Sequence, residues 1–211
     1  MKSNRIPGLL MDFETNDQKA ILIDGKWGIL QFKGGDTMLL IEPTMDYDKQ
    51  IQAFRKEFLN TGDMDGSSHL RKYAKTEDWI NHTLEYKSSE SPNGFVKTSQ
   101  YIYVREKDKK VIGVLQIRHH LNEMLEKYAG YIGYSICPSE RKKGYGTAML
   151  KAALPICKEL GIKNLLIACI EGNEASKKVI LKNGGVYENT IYWEERNSNI
   201  ERYWIDLTKI E

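Results

Sequence analysis

Apolar and polar positions alternate in a way that divides the chain into short elements. Met38-Leu39-Leu40-Ile41-Glu42 reads as a strand closed by Pro43. Ile51, Phe54 and Phe58 then recur at helical spacing, predicting a helix capped near Asp46. Residues 60–68 carry the Gly, Asp and Ser of a loop. A second helix is predicted from Thr76, whose hydroxyl can cap the following amides, with Glu77 and Asp78 in its first turn. Beyond the turn Ser91-Pro92-Asn93-Gly94, alternation predicts strands at 100–105 and 111–118, joined by the polar hairpin 106–110.

Tyr131 to Ile136 is a further strand, ended by Pro138, and a helix follows from about Tyr145 to Leu160. Asn164 to Ile170 is a nearly continuous apolar run, the mark of a strand covered on both faces. Asn173 caps a helix that Gly184-Gly185 stops. Val186–Trp193 and Glu201–Leu207 read as strands about a polar turn at 196–199. The order is strand, two helices, three strands, helix, strand, helix, two strands. That order predicts an α/β fold with a mixed sheet flanked by helices.

Before Met38 two readings stand. Ala20 to Phe32 can form a hairpin about Asp24-Gly25-Lys26. Alternatively, residues 1–37 are an upstream leader and the domain is 38–211. Codons for Lys33-Gly34-Gly35-Asp36-Thr37 can resemble a bacterial ribosome-binding site directly before the ATG of Met38.

Composition narrows the function. The 211 residues suit one domain, and a net charge of +2 gives no general attraction to nucleic acid or anionic membrane. Cys137, Cys157 and Cys169 lack metal-ligand spacing, so no metal is expected, and they read as reduced thiols of a cytoplasmic protein. The chain carries no apolar run long enough to cross a bilayer.

The chemistry concentrates after the strand at 131–136. Arg141-Lys142-Lys143-Gly144-Tyr145-Gly146-Thr147 joins that strand to a helix. The two glycines permit a sharp turn and close backbone approach, and amides at a helix start converge on an anion. The three basic residues add charge at the same place. A dinucleotide fingerprint would need a third small residue where Met149 stands, and a Walker loop would need Gly-Lys-Ser/Thr.

Arg-x-x-Gly-x-Gly between a strand and a helix resembles the acetyl-CoA pyrophosphate loop of the GNAT superfamily of acyl-CoA N-acyltransferases. Asn173-Glu174-Ala175-Ser176, ending at Asn183-Gly184-Gly185, is similar to that superfamily's second conserved stretch. Gly133-Tyr134-Ser135-Ile136 looks like a little-characterised bacterial branch. The resemblance covers Met38 to the C-terminus. It implies a largely antiparallel sheet with two strands splayed apart and acetyl-CoA in the gap. Cofactor contacts would come from Ser135, Ile136 and Cys137, from Arg141 to Thr147, and from Asn173 and Ser176. An amide near Ile136 or Cys137 would stabilise the oxyanion as a primary amine of a small molecule or peptide attacks the thioester.

Two departures from the superfamily pattern stand out. Many relatives carry a carboxylate base at the start of the strand before the loop, where this chain has Gly130 and Tyr131. His119, with His120 beside it, or Glu123 or Glu126 could act instead. The tyrosine acid of many relatives corresponds to Ile180 here. Tyr131 is the replacement candidate, with Tyr134, Tyr187 and Tyr192 also available. These losses keep a second reading open, a degenerate module that senses acyl-CoA without turnover. The acceptor pocket is expected between the 59–68 and 121–129 loops, where Asp63, Asp65, Glu123 and Glu126 would suit a cationic amine. A homodimer pairing its C-terminal strands would fit the superfamily.

Overall fold

The computed structural model describes residues 9–15, 18–23, 26–29, 36–62, 64–88 and 95–210, the first three segments by their backbone. Features expected at Asp24-Gly25, Lys33-Gly34-Gly35, Asp63 and Ser91-Pro92-Asn93-Gly94 lie outside the described residues.

Strands β1 (Leu9–Thr15), β2 (Gln18–Ile23) and β3 (Lys26–Ile29) run antiparallel in sequence order. The β2–β3 pairing matches the expected hairpin, and β3 continues the sheet onto β4 (Met38–Ile41). Helix α1 (Asp48–Glu57) buries Ile51 and Phe54, and the Phe58 ring lies 4.9 Å from that of Phe54. The expected Asp46 cap is absent. Residues 45–47 form a short 3-10 turn, so α1 starts after Tyr47, which makes no side-chain cap. Thr76 likewise is no cap but the first residue of α2 (Thr76–Ser88), and its hydroxyl accepts a hydrogen bond from Gln52 of α1 at 3.0 Å.

Strands β5 (Thr98–Arg105) and β6 (Lys110–Arg118) form the expected hairpin. A bulge at Ile112, between pairs Tyr103–Gly113 and Val104–Val111, changes which face each later residue of β6 presents. The segment expected as loop before β7 (Ile132–Ile136) contains a six-residue helix, α3 (Glu123–Tyr128). Asn122 caps it by accepting from the Leu125 amide, a signal present in the Asn-Glu sequence. Then come α4 (Tyr145–Glu159), β8 (Asn164–Ile170), α5 (Glu174–Lys182), β9 (Val186–Trp193) and β10 (Ser198–Asp206).

Seven strands, β1 to β7, form one sheet; β8, β10 and β9 form another. All ladders among the described strands are antiparallel. Helix α4 is apolar around most of its circumference because it packs between the sheets. Met149, Leu150, Ala152, Ala153 and Cys157 are fully buried in a cluster with residues of β4, β6, β8 and β10. A second cluster, with Phe54, Phe58 and Trp79, places α1 and α2 on the other face of the large sheet. Burying side chains of this size contributes about 1.5–3 kcal/mol each relative to exposure.

Candidate active site

The site begins where β7 and β8 part. Gly130 bridges Ile167, and the Tyr131 amide donates to the Leu166 carbonyl at 2.8 Å. A Cβ on Gly130 would lie 2.4 Å from that carbonyl, and φ is +69°, so glycine is required. Beyond this point β7 stays in the large sheet and β8 in the small one. On β7, the Tyr131 carbonyl accepts from Arg118 and the Cys137 amide donates to Ile112, both on the β6 side. Antiparallel alternation therefore turns the backbone groups of Tyr134 and Ile136 toward the gap. On β8, the Lys163 carbonyl and Glu171 amide bond toward β10, so Ala168 and Ile170 face the gap from the opposite side. The gap thus has hydrogen-bonding backbone on both walls, a template for an extended ligand.

At its mouth lies the glycine turn. Residues 138–140 form a 3-10 turn, Lys142 is left-handed at φ +62°, and Gly144 is left-handed at φ +91° immediately before α4. These reversals and the helix start bring consecutive amides to one side, as anion binding demands. Gly146 permits close helix packing, since a Cβ there would stand 3.1 Å from Val179 of α5. The Arg141, Lys142 and Lys143 side chains are exposed. Arg141 Nε donates to the Ile136 carbonyl at 3.1 Å, tying the turn to the end of β7.

Two carboxylates anchor this turn from below. Glu140 is 5% exposed and accepts from Lys110 at 2.8 Å, Lys143 at 2.9 Å and Arg105 at 3.3 Å. Burial alone would raise its pKa; the hydrogen bonds from Lys110, Lys143 and Arg105 outweigh it and hold the group at about 2. Arg105 also donates to the Tyr145 hydroxyl at 3.1 Å, so the network reaches the first turn of α4. Glu57, at the end of α1, accepts from the Ser139 amide at 3.0 Å and the Ser139 hydroxyl at 2.9 Å. Neither acid stands out in the sequence, because a carboxylate beside an anion cradle makes sense only once its cations are located.

Of the other expected cofactor residues, Ile136 faces the gap. Asn173 caps α5 by accepting from the Ser176 amide at 3.1 Å, and Ser176 shares a 2.9 Å hydrogen bond with the Tyr134 hydroxyl. Burial pushes the Tyr134 phenol up to about 12, so it remains protonated at neutral pH. The Thr147 carbonyl accepts from Asn183 at 3.2 Å, which links α4 to the end of α5. Ser135 points to the other face and donates to the Asp65 carbonyl at 2.8 Å. Cys137 corrects one expectation. Its amide is committed to Ile112 and its thiol is fully buried, pushed up to about 11 chiefly by that burial, so Ile136 is the oxyanion candidate.

The expected catalytic side chains are dispersed. Leu115 of β6 pairs with Tyr134, and His119 lies four residues further along, about 13 Å at strand rise. His119 pairs with the Ser99 hydroxyl at 2.8 Å, and burial, then Lys97, lowers its pKa. Tyr131 lies at the closed end of the gap, its pKa raised by burial and then Glu126. Glu123 is exposed on α3. Ile180 is fully buried, which rules out chemistry from that position.

The loop after α1 comes closer to β7 than its sequence announces. Gly66 packs on the backbone of Gly133, where a Cβ would meet the Gly133 carbonyl at 2.0 Å. Gln100 Nε2 donates to the Gly66 carbonyl at 2.9 Å, and the Trp79 indole donates to Ser67 at 2.8 Å. Among the described residues no group of three or more His, Cys, Asp or Glu could hold a metal. No helix among them is long and apolar enough to cross a membrane.

The sequence profile of the acetyltransferase (GNAT) domain family matches residues 39–186. No curated protein sequence matches the chain. Among solved structures, RimL, a ribosomal-protein alpha-N-acetyltransferase in complex with coenzyme A, is similar at TM-score 0.56 and 18% identity, covering 80% of this chain and 93% of that one. A ribosomal-protein-alanine acetyltransferase from Vibrio fischeri gives TM-score 0.61 at 15% identity, covering 96% and 100%. A spermidine N-acetyltransferase SpeG chimera from Vibrio cholerae and hSSAT gives 0.56 at 13% identity, covering 82% and 97%. At these identities the likeness shows the fold.

Proposed function

Because the chain belongs to the GNAT acetyltransferase domain family, we propose that it transfers an acetyl group from acetyl-CoA to a primary amine by direct attack. The observation that carries this reading is the divergence of β7 from β8 beside a helix-start anion cradle. The solved structures of similar fold include one with coenzyme A and others whose acceptors are protein or spermidine amines, which supports the same chemistry here.

In this reading the amides from Lys142 to Gly146 hold the pyrophosphate, and the gap-facing backbone of Tyr134 and Ile136 holds the pantetheine arm. The Ile136 amide stabilises negative charge developing on the thioester oxygen. Tyr134, hydrogen-bonded to Ser176, supplies the proton to the leaving thiolate. Positioning and electrostatics carry most of the rate enhancement. Three free, buried cysteines support a reducing, cytoplasmic setting.

Calorimetric titration with acetyl-CoA tests the reading, alongside Gly144→Glu, which puts a side chain and a negative charge into the cradle. Binding by the wild type and its loss in a folded variant are expected; no binding by the wild type overturns the assignment. Buried Ile180 favours one second reading, an acyl-CoA-binding sensor without turnover. Thiol release with a panel of amines separates enzyme from sensor.

A further inference from the structure

Arg118, the last residue of β6, sits at the apex of the gap. Its amide donates to the Tyr131 carbonyl and its Nη1 to the Gly130 carbonyl at 2.8 Å, on the residues where β7 meets β8. A positive charge so placed is not explained by the pyrophosphate cradle, which lies at the opposite end of β7. Facing it is the loop after α1. Ser135 clasps that loop through the Asp65 carbonyl at 2.8 Å, and Gly66 seats it on Gly133. The neighbouring Gly66 and Ser67 are buried, and Asp65 is exposed.

We propose that Arg118 and Asp65 form the acceptor subsite and select a zwitterionic amino-carboxylate, a free α-amino acid, with the carboxylate on Arg118 and the ammonium group near Asp65. The planar guanidinium fork matches a carboxylate in a bidentate fashion, and a strand holds it rigidly. Asp65 supports the Arg118 charge electrostatically, yet burial dominates and pulls the guanidinium down to about 10. A ligand carboxylate would add a further counter-charge beside this buried guanidinium. The opposite charges stand beside the strand that, in the acetyl-CoA reading on which this inference rests, aligns the thioester. The arrangement refines the sequence expectation of a purely cationic acceptor: it adds a demand for an anion on the same molecule.

The test is calorimetry of the protein with free amino acids, each paired with its carboxamide, in the presence and absence of coenzyme A. At least one amino acid is expected to bind roughly tenfold or more tightly than its amide, the scale of one charge-assisted contact. Arg118→Gln should bring that ratio to within about twofold, and Arg118→Lys, which keeps the charge without the fork, should retain part of it. Asp65→Asn should weaken acid and amide together. Equal binding of acid and amide by the wild type overturns the subsite, as does a preference that survives Arg118→Gln, or no amino acid binding in either state. Failure of coenzyme A to bind sinks the acetyl-CoA reading separately, because the acid-to-amide ratio is read with and without it.

Discussion

Lys143 donates to Glu140 at 2.9 Å, so one of the three basic residues of the glycine turn is held by a buried carboxylate inside the same turn. With Lys110 and Arg105 on that carboxylate as well, the cations that flank the cradle are set in place before any ligand arrives. Preorganisation of this kind lowers the ordering cost of binding.

Glu140→Gln should therefore weaken acetyl-CoA binding by about tenfold, a loss of about 1.4 kcal/mol. Pantetheine, which lacks the pyrophosphate, should bind the variant and wild type alike. A variant that lost affinity for both ligands equally would show that Glu140 acts on the fold as a whole, not on the cradle.

Tyr134→Phe and Ser176→Ala should each reduce the turnover number for thiol release by about a hundredfold, the usual reach of a positioned proton donor. Coenzyme A affinity should stay within about twofold in Tyr134→Phe. His119→Ala, about 13 Å along the strand from the Leu115–Tyr134 pair and engaged with Ser99, should leave turnover nearly unchanged. A large turnover defect in His119→Ala with Tyr134→Phe unaffected would reverse the assignment.

Gly130→Ala should destabilise the protein by at least about 2 kcal/mol, from a left-handed φ and a clash with Leu166. Because the bridge at Gly130 sets the apex of the gap, acetyl-CoA affinity should fall as well. Chemical denaturation and calorimetry on one preparation check both effects.

Acid should act in two stages. Burial lowers the pKa of His69, His82 and His119 from the usual 6.5, so the folded state binds fewer protons than the unfolded chain. Stability then falls as pH drops below about 6.5 and stops falling once the folded groups also protonate. Glu57 and Glu140 are depressed from 4.5, so their contribution is present above 4.5 and is lost as pH falls further. His82, 4.5 Å from the Tyr86 ring, can be replaced by Phe, which should flatten the melting-temperature profile between pH 6.5 and 5. An unchanged slope would show that other groups govern this range.

Periodicity located α4 and β8 to within a residue or two because each buries a run of apolar residues, and the Asn173 cap with the Gly184-Gly185 stop bounded α5, which buries only Ile180. It passed over α3, whose six residues bury only Leu125. Thr76 looked like a cap because local hydrogen bonding is all a sequence displays, while its hydroxyl is used by Gln52, 24 positions earlier.

By itself the sequence determined the order of the elements from β4 onward apart from α3, the glycine turn at the start of α4 and the Asn173 cap, all consequences of local backbone preference and hydrophobic spacing. Only the tertiary structure decided which charges meet. Glu140 with Lys110 and Arg105, Tyr134 with Ser176, and Asp65 with Arg118 are separated by 30 to 53 positions. Such pairs form because the sheets bring distant strands together, and their energies depend on burial and separation, which no local pattern encodes.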